Sequence, residues 1–161
     1  EVAAVVVGWD TEFGKNKIQI AAEAIRAGAA LYCTSFSPAF ASKDRLNVGV
    51  SGFITAGLLF VTETTEFEVL GKPSQHSMDI ISRVLDVPID EILVIGDDIY
   101  LESSMARNAG AFAGLVLTGT SKQKDVDAAS ADVAPELVIE SMTEFVDLFT
   151  QADAQYRQTA S

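Results

Sequence analysis

Cysteine and long apolar runs are scarce in this chain, and each scarcity excludes a class of protein. The 161 residues include one cysteine, Cys33, so they cannot form an internal disulfide. Because Cys33 lies in an apolar run, we interpret it as a buried thiol of a reducing compartment and expect a cytoplasmic protein. No apolar stretch reaches the length of a bilayer span, so we expect no membrane partner.

Basic residues are also few, which argues against nucleic acid as a ligand. The chain has 11 lysines and arginines against 23 aspartates and glutamates, for a net charge of −12. Nucleic-acid binding requires a basic surface, so we expect no nucleic-acid partner. A small phosphorylated ligand remains compatible with this charge, because one lysine and a metal ion can reverse the field within a cleft.

What the chain does have is a regular alternation of short apolar runs and amphipathic segments. Strand patterns cover residues 3–7, 29–34, 67–70, 92–95, 111–117 and 137–139, and helical patterns cover 15–27, 50–62, 75–85 and 142–149. This alternation predicts an α/β fold with a doubly wound parallel sheet and helices on both faces. We expect residues 35–49 to form an irregular loop or lid, and residues 151–161 a frayed polar tail.

An acidic turn follows the apolar run 92–95. It contains Asp97, Asp98 and Glu102 within six residues. Ligands of open α/β sheets bind at the carboxyl ends of strands, and oxygen-only clusters suit Mg2+, so the turn predicts a magnesium site. The alternative is an acidic strand-to-helix turn in which Asp98 or Glu102 merely favours the helix N-terminus.

Lys72 also follows a strand pattern and precedes a helical one. It lies between Gly71 and Pro73, so a stiff backbone holds it. We expect Lys72 to head a βα unit adjacent to that of Asp97, at the same edge of the sheet, where its ammonium could neutralise a phosphoryl group. The alternative is an exposed loop lysine.

Hydroxyl groups end two further strand patterns. Thr34 and Ser35 lie at the end of the strand pattern 29–34, and their hydroxyls could hold a phosphate oxygen, although such groups are also common as caps or turn formers. We interpret the segment 118–120 as a tight turn that requires Gly119. His76 is interpreted as solvent-facing or locally bonded.

Four short motifs together resemble the haloacid dehalogenase (HAD) phosphatase superfamily. They are GKPS (71–74), IGDDIYLE (95–102), NAG (108–110) and LVLTGTS (115–121). The resemblance is greatest to the branch of 4-nitrophenyl and phosphoglycolate phosphatases, which carry a C2-type cap. None of the motifs is specific alone, but their combination and order are.

The resemblance implies a role for several residues. Lys72 would stabilise a phosphoaspartate intermediate, and Asp97 would help to bind Mg2+. Glu102 takes the place of a second aspartate in the family pattern GDxxxTD, with Leu101 in place of threonine. The implied reaction is hydrolysis of a small phosphorylated metabolite, and because capped relatives often dimerise through the cap, a homodimer is an expectation.

The resemblance also implies a domain organisation. We expect residues 1–48 to be part of the cap, residues 49–150 to be the second half of the HAD core, and residues 151–161 to be the polar tail. The later half of a cap explains residues 1–35, although the family's Asn-Pro-Asp after the threonine is here Ser35-Phe36-Ser37.

The nucleophile motif of the family, DxDGT, does not occur in these residues. Asp10 imitates it, but we reject it because Glu12 replaces the acid/base aspartate and the spacing to Thr34 is too short. We therefore expect the C-terminal portion of a phosphatase, inactive alone. The alternative is a non-catalytic HAD-like pseudo-enzyme or regulatory protein. A receiver-like or flavodoxin-type binding domain is a weaker possibility, against which GKPS and LVLTGTS speak.

Overall fold

A computed structural model describes residues 2–42 and 45–159 of the chain. It divides into two compact units, the first ending at Ile80 and the second beginning at Ile81. The boundary lies within a helix, α3 (Gln75–Leu85). In the part of the chain that the structure describes, no helix is both long enough and apolar enough to span a membrane.

The first unit is a small parallel sheet with two helices and a hairpin. Its elements are β1 (Ala4–Val7), α1 (Lys15–Arg26), β2 (Ala30–Cys33), β3 (Ala39–Ala41), β4 (Leu46–Val48), α2 (Val50–Thr62) and β5 (Glu68–Val69). The parallel strands have the order β1-β2-β5, with Val5 opposite Leu31 and Cys33 opposite Val69.

The core of this unit forms where α1 and α2 pack on the sheet. Its buried members are Val7, Ala22, Leu31, Ile54 and Leu58. They come from strands with short apolar runs and from helix positions on one face, so the local patterns and the tertiary packing agree.

Residues 35–49 differ from the prediction of an irregular loop. β3 and β4 form an antiparallel hairpin in which Ala39 pairs with Val48, and Gly49 N–H donates to the Pro38 carbonyl at 2.9 Å. Three-residue strands are too short to leave a recognisable alternation, which explains the wrong prediction. Lys43 and Asp44, which belong to this predicted loop, lie outside the described residues.

The second unit is another α/β layer. Its elements are β6 (Leu93–Gly96), a π-helical turn (Ile99–Ser103), α4 (Ser104–Ala109), β7 (Phe112–Val116), α5 (Gln123–Asp127), β8 (Leu137–Ile139) and α6 (Met142–Thr159). The strands are parallel in the order β6-β7-β8. Within the described part of this unit, β6 pairs with β7 alone and is therefore an outer strand.

Buried apolar side chains hold the π-helical turn and α4 against this sheet. Ile99, Met105, Leu115 and Ile139 are almost completely buried. Glu136 connects α4 to the sheet. It forms an ion pair with Arg107 of α4, and its Oε2 accepts the Ala113 N–H of β7 at 2.8 Å.

The C-terminal segment differs from the prediction. The helix α6 continues to Thr159 through most of the segment predicted to fray, supported by the ion pair of Arg157 with Asp153 at 2.9 Å one turn earlier. Helix α2 and strand β5 lie in the first unit, and the predicted boundary between cap and core at residue 49 stays a prediction. The α/β class with parallel strands is confirmed.

Candidate active site

Asp97 follows directly after β6, and the loop after β7 holds it in place. Its Oδ2 accepts two hydrogen bonds from Thr120, from the backbone N–H at 2.8 Å and from Oγ1 at 3.0 Å. Its own carbonyl accepts the Ser121 N–H at 2.8 Å. The carboxylate is therefore oriented by a neighbouring βα loop rather than left to solvent.

Gly119 is required for this arrangement by close approach. A Cβ placed there would lie 2.0 Å from Asp97 Oδ2 and 2.3 Å from its Cβ, well inside contact distance. The prediction that the turn 118–120 needs glycine is thus correct in outcome. The reason is different, because the glycine makes room for a carboxylate.

Asp98 caps the π-helical turn. Its Oδ1 accepts the Tyr100 N–H at 2.9 Å, as the alternative interpretation of this acidic turn anticipated. Burial raises the pKa of Asp98 above its ordinary value, and the charges of Glu102 and Asp97 raise that pKa further, while the backbone N–H groups of Tyr100 and Leu101 oppose the change.

Glu102 turns back beneath the acidic turn. Its side chain is only 8% exposed, and its Oε2 accepts the Asp98 N–H at 3.1 Å. A Cβ on Gly96 would lie 2.2 Å from Glu102 Cγ, so the glycine at the end of β6 leaves the space that this side chain occupies. Glu102 therefore supports the backbone of the turn.

The three carboxylates do not form a preformed metal cage. Among residues 2–42 and 45–159, no three histidine, cysteine, aspartate or glutamate side chains are grouped so as to hold a metal ion. The physical reason is that Asp98 and Glu102 accept backbone N–H groups, so this arrangement does not support all three as ligands of one ion.

Asp97 nevertheless fits Mg2+. No hydrogen bond from the described residues reaches its Oδ1, whereas Oδ2 is held by Thr120. Mg2+ is commonly held by one or two carboxylates together with water and substrate phosphate, rather than by a complete protein cage. A single oriented carboxylate at a strand end is a donor set of this kind.

Lys72, Thr34 and Ser35 lie at the carboxyl edge of the first sheet. The segments that carry them follow the adjacent parallel strands β5 and β2, and the Leu70 N–H donates to the Cys33 carbonyl at 2.8 Å. Lys72 and Thr34 are exposed, and Ser35 is half-buried. The structure thus brings the predicted lysine and hydroxyl segments to one sheet edge.

The predicted placement of Lys72 beside Asp97 in a single sheet is wrong. β5 pairs with β2 through Tyr32 opposite Glu68, whereas β6 begins the separate sheet β6-β7-β8. A two-residue strand carries too little sequence pattern to identify its partner, and the assignment depended on chain order alone.

A family comparison explains the motifs. The model described as HAD-hydrolase-like matches residues 69–145, a stretch that contains Lys72, Asp97 and Glu102. This part of the chain belongs to the HAD-like superfamily. Over about 90% of its length, the chain is also similar to phosphatases of the 4-nitrophenyl and phosphoglycolate phosphatase group.

Two relatives show the extent of this HAD-like similarity. The 5′-nucleotidase YutF of Bacillus subtilis is 31% identical over 143 residues, which are 88% of this chain and 54% of the relative. The haloacid dehalogenase-like hydrolase domain-containing protein 2 of Mus musculus is 32% identical over 149 residues, 92% of this chain and 56% of that protein. The chain spans about half the length of the curated relatives it matches.

Solved HAD-like structures match in the same proportion. The 4-nitrophenylphosphatase of Thermotoga maritima superposes with a TM-score of 0.81 at 27% identity, covering 90% of this chain and 54% of that one. The glycerol phosphate phosphatase of Mycobacterium tuberculosis, solved in complex with magnesium, gives 0.80 at 28% identity over 88% of this chain and 42% of that one.

Asp10, the residue that imitates a HAD nucleophile, has a local role in the first unit. Its Oδ2 pairs with Lys17 Nζ at 2.7 Å, and its Oδ1 accepts the Glu12 N–H at 2.9 Å. The hydrogen bond from Lys17 lowers the pKa of Asp10, assisted by the Glu12 N–H. The sequence-based rejection of Asp10 as a nucleophile stays a prediction.

Sequence reasoning missed the residues that orient Asp97. Thr120 supplies both donors to Oδ2, and Ser121 Oγ accepts the Ile99 N–H at 3.0 Å. A polar stretch at the end of an apolar strand was the available signal. It was interpreted as a turn and as part of the LVLTGTS motif, with no role for its hydroxyl groups. The contact of Lys122 with the same loop had no signal in the sequence.

Proposed function

We propose that the chain contributes the lysine and metal-carboxylate residues of a Mg2+-dependent HAD phosphatase that hydrolyses a small phosphate monoester through an aspartyl phosphate. The proposal extends the names of the relatives, which include a nucleotidase and several phosphatases, to this chain. Those names favour an enzyme over a non-catalytic HAD-like protein.

The orientation of Asp97 is the observation that carries the proposal. One carboxylate oxygen is held by two donors of Thr120 at the end of a parallel strand, which leaves the other for a cation. Because the Asp97 carboxylate is already fixed, less conformational entropy is lost when a metal ion binds to it. When bound, Mg2+ would neutralise charge on the transferring phosphoryl group.

Glu102 and Asp98 act on the backbone in this proposal. Glu102 holds the Asp98 N–H, and Asp98 caps the following turn, so together they keep the segment after β6 in place. Asp97 is the metal ligand that we assign, and the other two carboxylates shape the turn and add negative charge near the cation.

Lys72 is the proposed electrostatic partner of the phosphoryl group. It extends from the stiff GKPS segment, whose Ser74 N–H donates to the Gly71 carbonyl at 2.8 Å. A primary ammonium stabilises the charge that develops as phosphorus is attacked. Thr34 and Ser35 end the adjacent strand and are proposed to contact the substrate.

The nucleophile is assigned to no residue among these 161. In the proposed reaction, an aspartate of a DxDGT strand attacks phosphorus and expels the alcohol, and water then cleaves the acyl phosphate to release inorganic phosphate. The unpaired side of β6 is where a further parallel strand can add to the sheet, and we propose that the nucleophile strand pairs there.

The proposed ligand is a small phosphorylated metabolite, and a homodimer is proposed from the resemblance alone. The acidic balance of the chain supports neither a nucleic-acid nor an anionic membrane partner. A cytoplasmic site of action also stays a prediction.

Turnover of 4-nitrophenyl phosphate with Mg2+ tests the proposal. The 161-residue chain alone should be inactive, whereas a chimera carrying the uncovered half of the Thermotoga maritima enzyme before Glu1 should be active. Lys72→Met and Asp97→Asn should each abolish that activity. Robust turnover by the chain alone, lost in Asp10→Asn, would contradict the proposal and favour a self-sufficient enzyme.

A further inference from the structure

Lys122 crosses the loop that holds Asp97. Its Nζ donates to the Gly119 carbonyl at 2.7 Å and approaches the Leu117 carbonyl at 3.3 Å. Its backbone N–H donates to Asp125 Oδ2 at 2.8 Å, so the base of the side chain is fixed at the start of α5. One ammonium therefore links the end of β7, the loop and the following helix.

The peptide group between Gly119 and Thr120 connects Lys122 to Asp97. Its carbonyl accepts from Lys122, and its N–H donates to Asp97 Oδ2 at 2.8 Å. This peptide is trans and planar, so its C=O and N–H point in opposite directions. Fixing the carbonyl on one side fixes the direction of the N–H on the other.

We propose that Lys122 is a positioning residue for the metal ligand Asp97. By holding the Gly119 carbonyl, it aims the Thr120 N–H at Asp97 Oδ2 and so keeps Oδ1 available for the cation. A charged donor also polarises the peptide and strengthens the hydrogen bond on its far side. The inference rests on the proposed Mg2+ role of Asp97.

The direction in which Mg2+ affinity changes when Lys122 loses its charge distinguishes a positioning role from simple charge repulsion. Lys122 is a cation near a cation site, so removing its charge should tighten Mg2+ binding if only long-range repulsion mattered. The positioning role requires the opposite result. Loss of an outer-shell partner typically weakens metal affinity by about 10–100-fold.

Calorimetric titration of Mg2+ into the 161-residue chain and its variants is the experiment. Lys122→Met should weaken binding about tenfold, toward the lower end of that range because the Thr120 donors themselves remain. Lys122→Arg keeps a charged donor and should restore most of the affinity. The matched control is Lys124→Met, which removes an equal charge from an exposed position within α5 and should leave affinity unchanged or slightly tighter.

A second readout needs no metal. The amide resonance of Thr120 reports its hydrogen bond, and it should shift in Lys122→Met but not in Lys124→Met.

Thr120→Val, which keeps the N–H and removes Oγ1, should weaken Mg2+ binding while leaving the Lys122 contact in place.

The outcomes separate the two proposals. If Lys122→Met binds Mg2+ as tightly as the unmodified chain, or if Lys124→Met weakens binding equally, Lys122 does not position Asp97. If the unmodified chain and Asp97→Asn bind Mg2+ alike, the proposed metal role of Asp97 fails first, and the role of Lys122 falls with it. If Lys122→Met does not fold, Lys122→Gln takes its place, and Mg2+ affinity and a Thr120 amide resonance that both match the unmodified chain would overturn the inference.

Discussion

The carboxyl edges of the two sheets carry polar residues in different ways. At the end of β6, Asp97 and Glu102 are held by hydrogen bonds to neighbouring backbone and side chains, and Glu102 is buried. At the edge of the first sheet, Lys72 and Thr34 are exposed. The two edges therefore differ in how far their polar side chains are exposed to solvent, and the variants below test that difference.

The largest loss of stability is expected from Gly119→Ala. The new methyl group would occupy the position of the Asp97 carboxylate, so either the loop or Asp97 must move. Overpacking of this kind costs about 1–3 kcal/mol, and Mg2+ binding should be lost with it. Urea unfolding measures the first effect and calorimetry the second.

Gly57→Ala is the control for this substitution. Gly57 lies in α2, and a Cβ there meets nothing within 4 Å. The change should stabilise the chain by up to about 1 kcal/mol, because alanine is the better helix former. If both alanine variants are equally stable, the close approach of Gly119 to Asp97 is not a constraint.

A comparable loss is expected from Glu102→Ala. Removing the side chain deprives the Asp98 N–H of its acceptor, and a partly buried donor left without a partner costs about 1–3 kcal/mol. Glu102→Gln retains an amide oxygen and should lose much less. Equal midpoints for the two variants in urea would show that the hydrogen bond to Asp98 does not support the turn.

Asp98→Asn should stabilise the chain slightly, in contrast to the two destabilising substitutions above. Asparagine keeps the cap on Tyr100 and removes a charge whose burial is unfavourable. Because folding raises the pKa of Asp98, the contribution of this group to stability is greatest at low pH and falls as pH rises through that pKa. The variant should therefore be more stable at neutral pH by a few tenths of a kcal/mol, since solvent screens this group.

The gain should disappear in acid. Near pH 3 the aspartate is protonated in both states, so the two proteins should unfold at matching temperatures. A constant difference from pH 3 to pH 7 would mean that charge at this position does not limit stability. These scans are made without Mg2+, because a bound cation would offset the repulsion.

The smallest effect is expected at the edge of the first sheet. Lys72→Met replaces an exposed side chain whose polar interactions are screened by solvent, so the free energy of unfolding should change by less than about 0.5 kcal/mol. A large destabilisation would show that Lys72 has a structural role and would remove the contrast between the two edges.

Local sequence patterns predicted much of the second unit. The apolar runs at 92–95 and 137–139 correspond to β6 and β8 within a residue, and the acidic turn lies after β6 as expected. These strands are short, continuous and bounded by turn residues, so their identity depends on local sequence.

What was missed depends on contacts between distant residues. The partner of β5, the hairpin β3–β4 and the hold of Thr120 on Asp97 are set by segments far apart in the chain. The same applies to Gly119, whose constraint comes from a carboxylate 22 positions earlier. Composition and hydrophobic periodicity do not indicate which of these distant residues contact each other.

Binding of Mg2+ to the chain and to Asp97→Asn tests the central claim most directly. Calorimetry should detect Mg2+ binding by the unmodified chain and none by Asp97→Asn, at equal thermal stability. Asp147→Asn, an exposed carboxylate on α6, is the charge-matched control and should bind as the unmodified chain does. Equal binding by the unmodified chain and Asp97→Asn, or none by either, would contradict the assignment of Asp97 as the metal ligand.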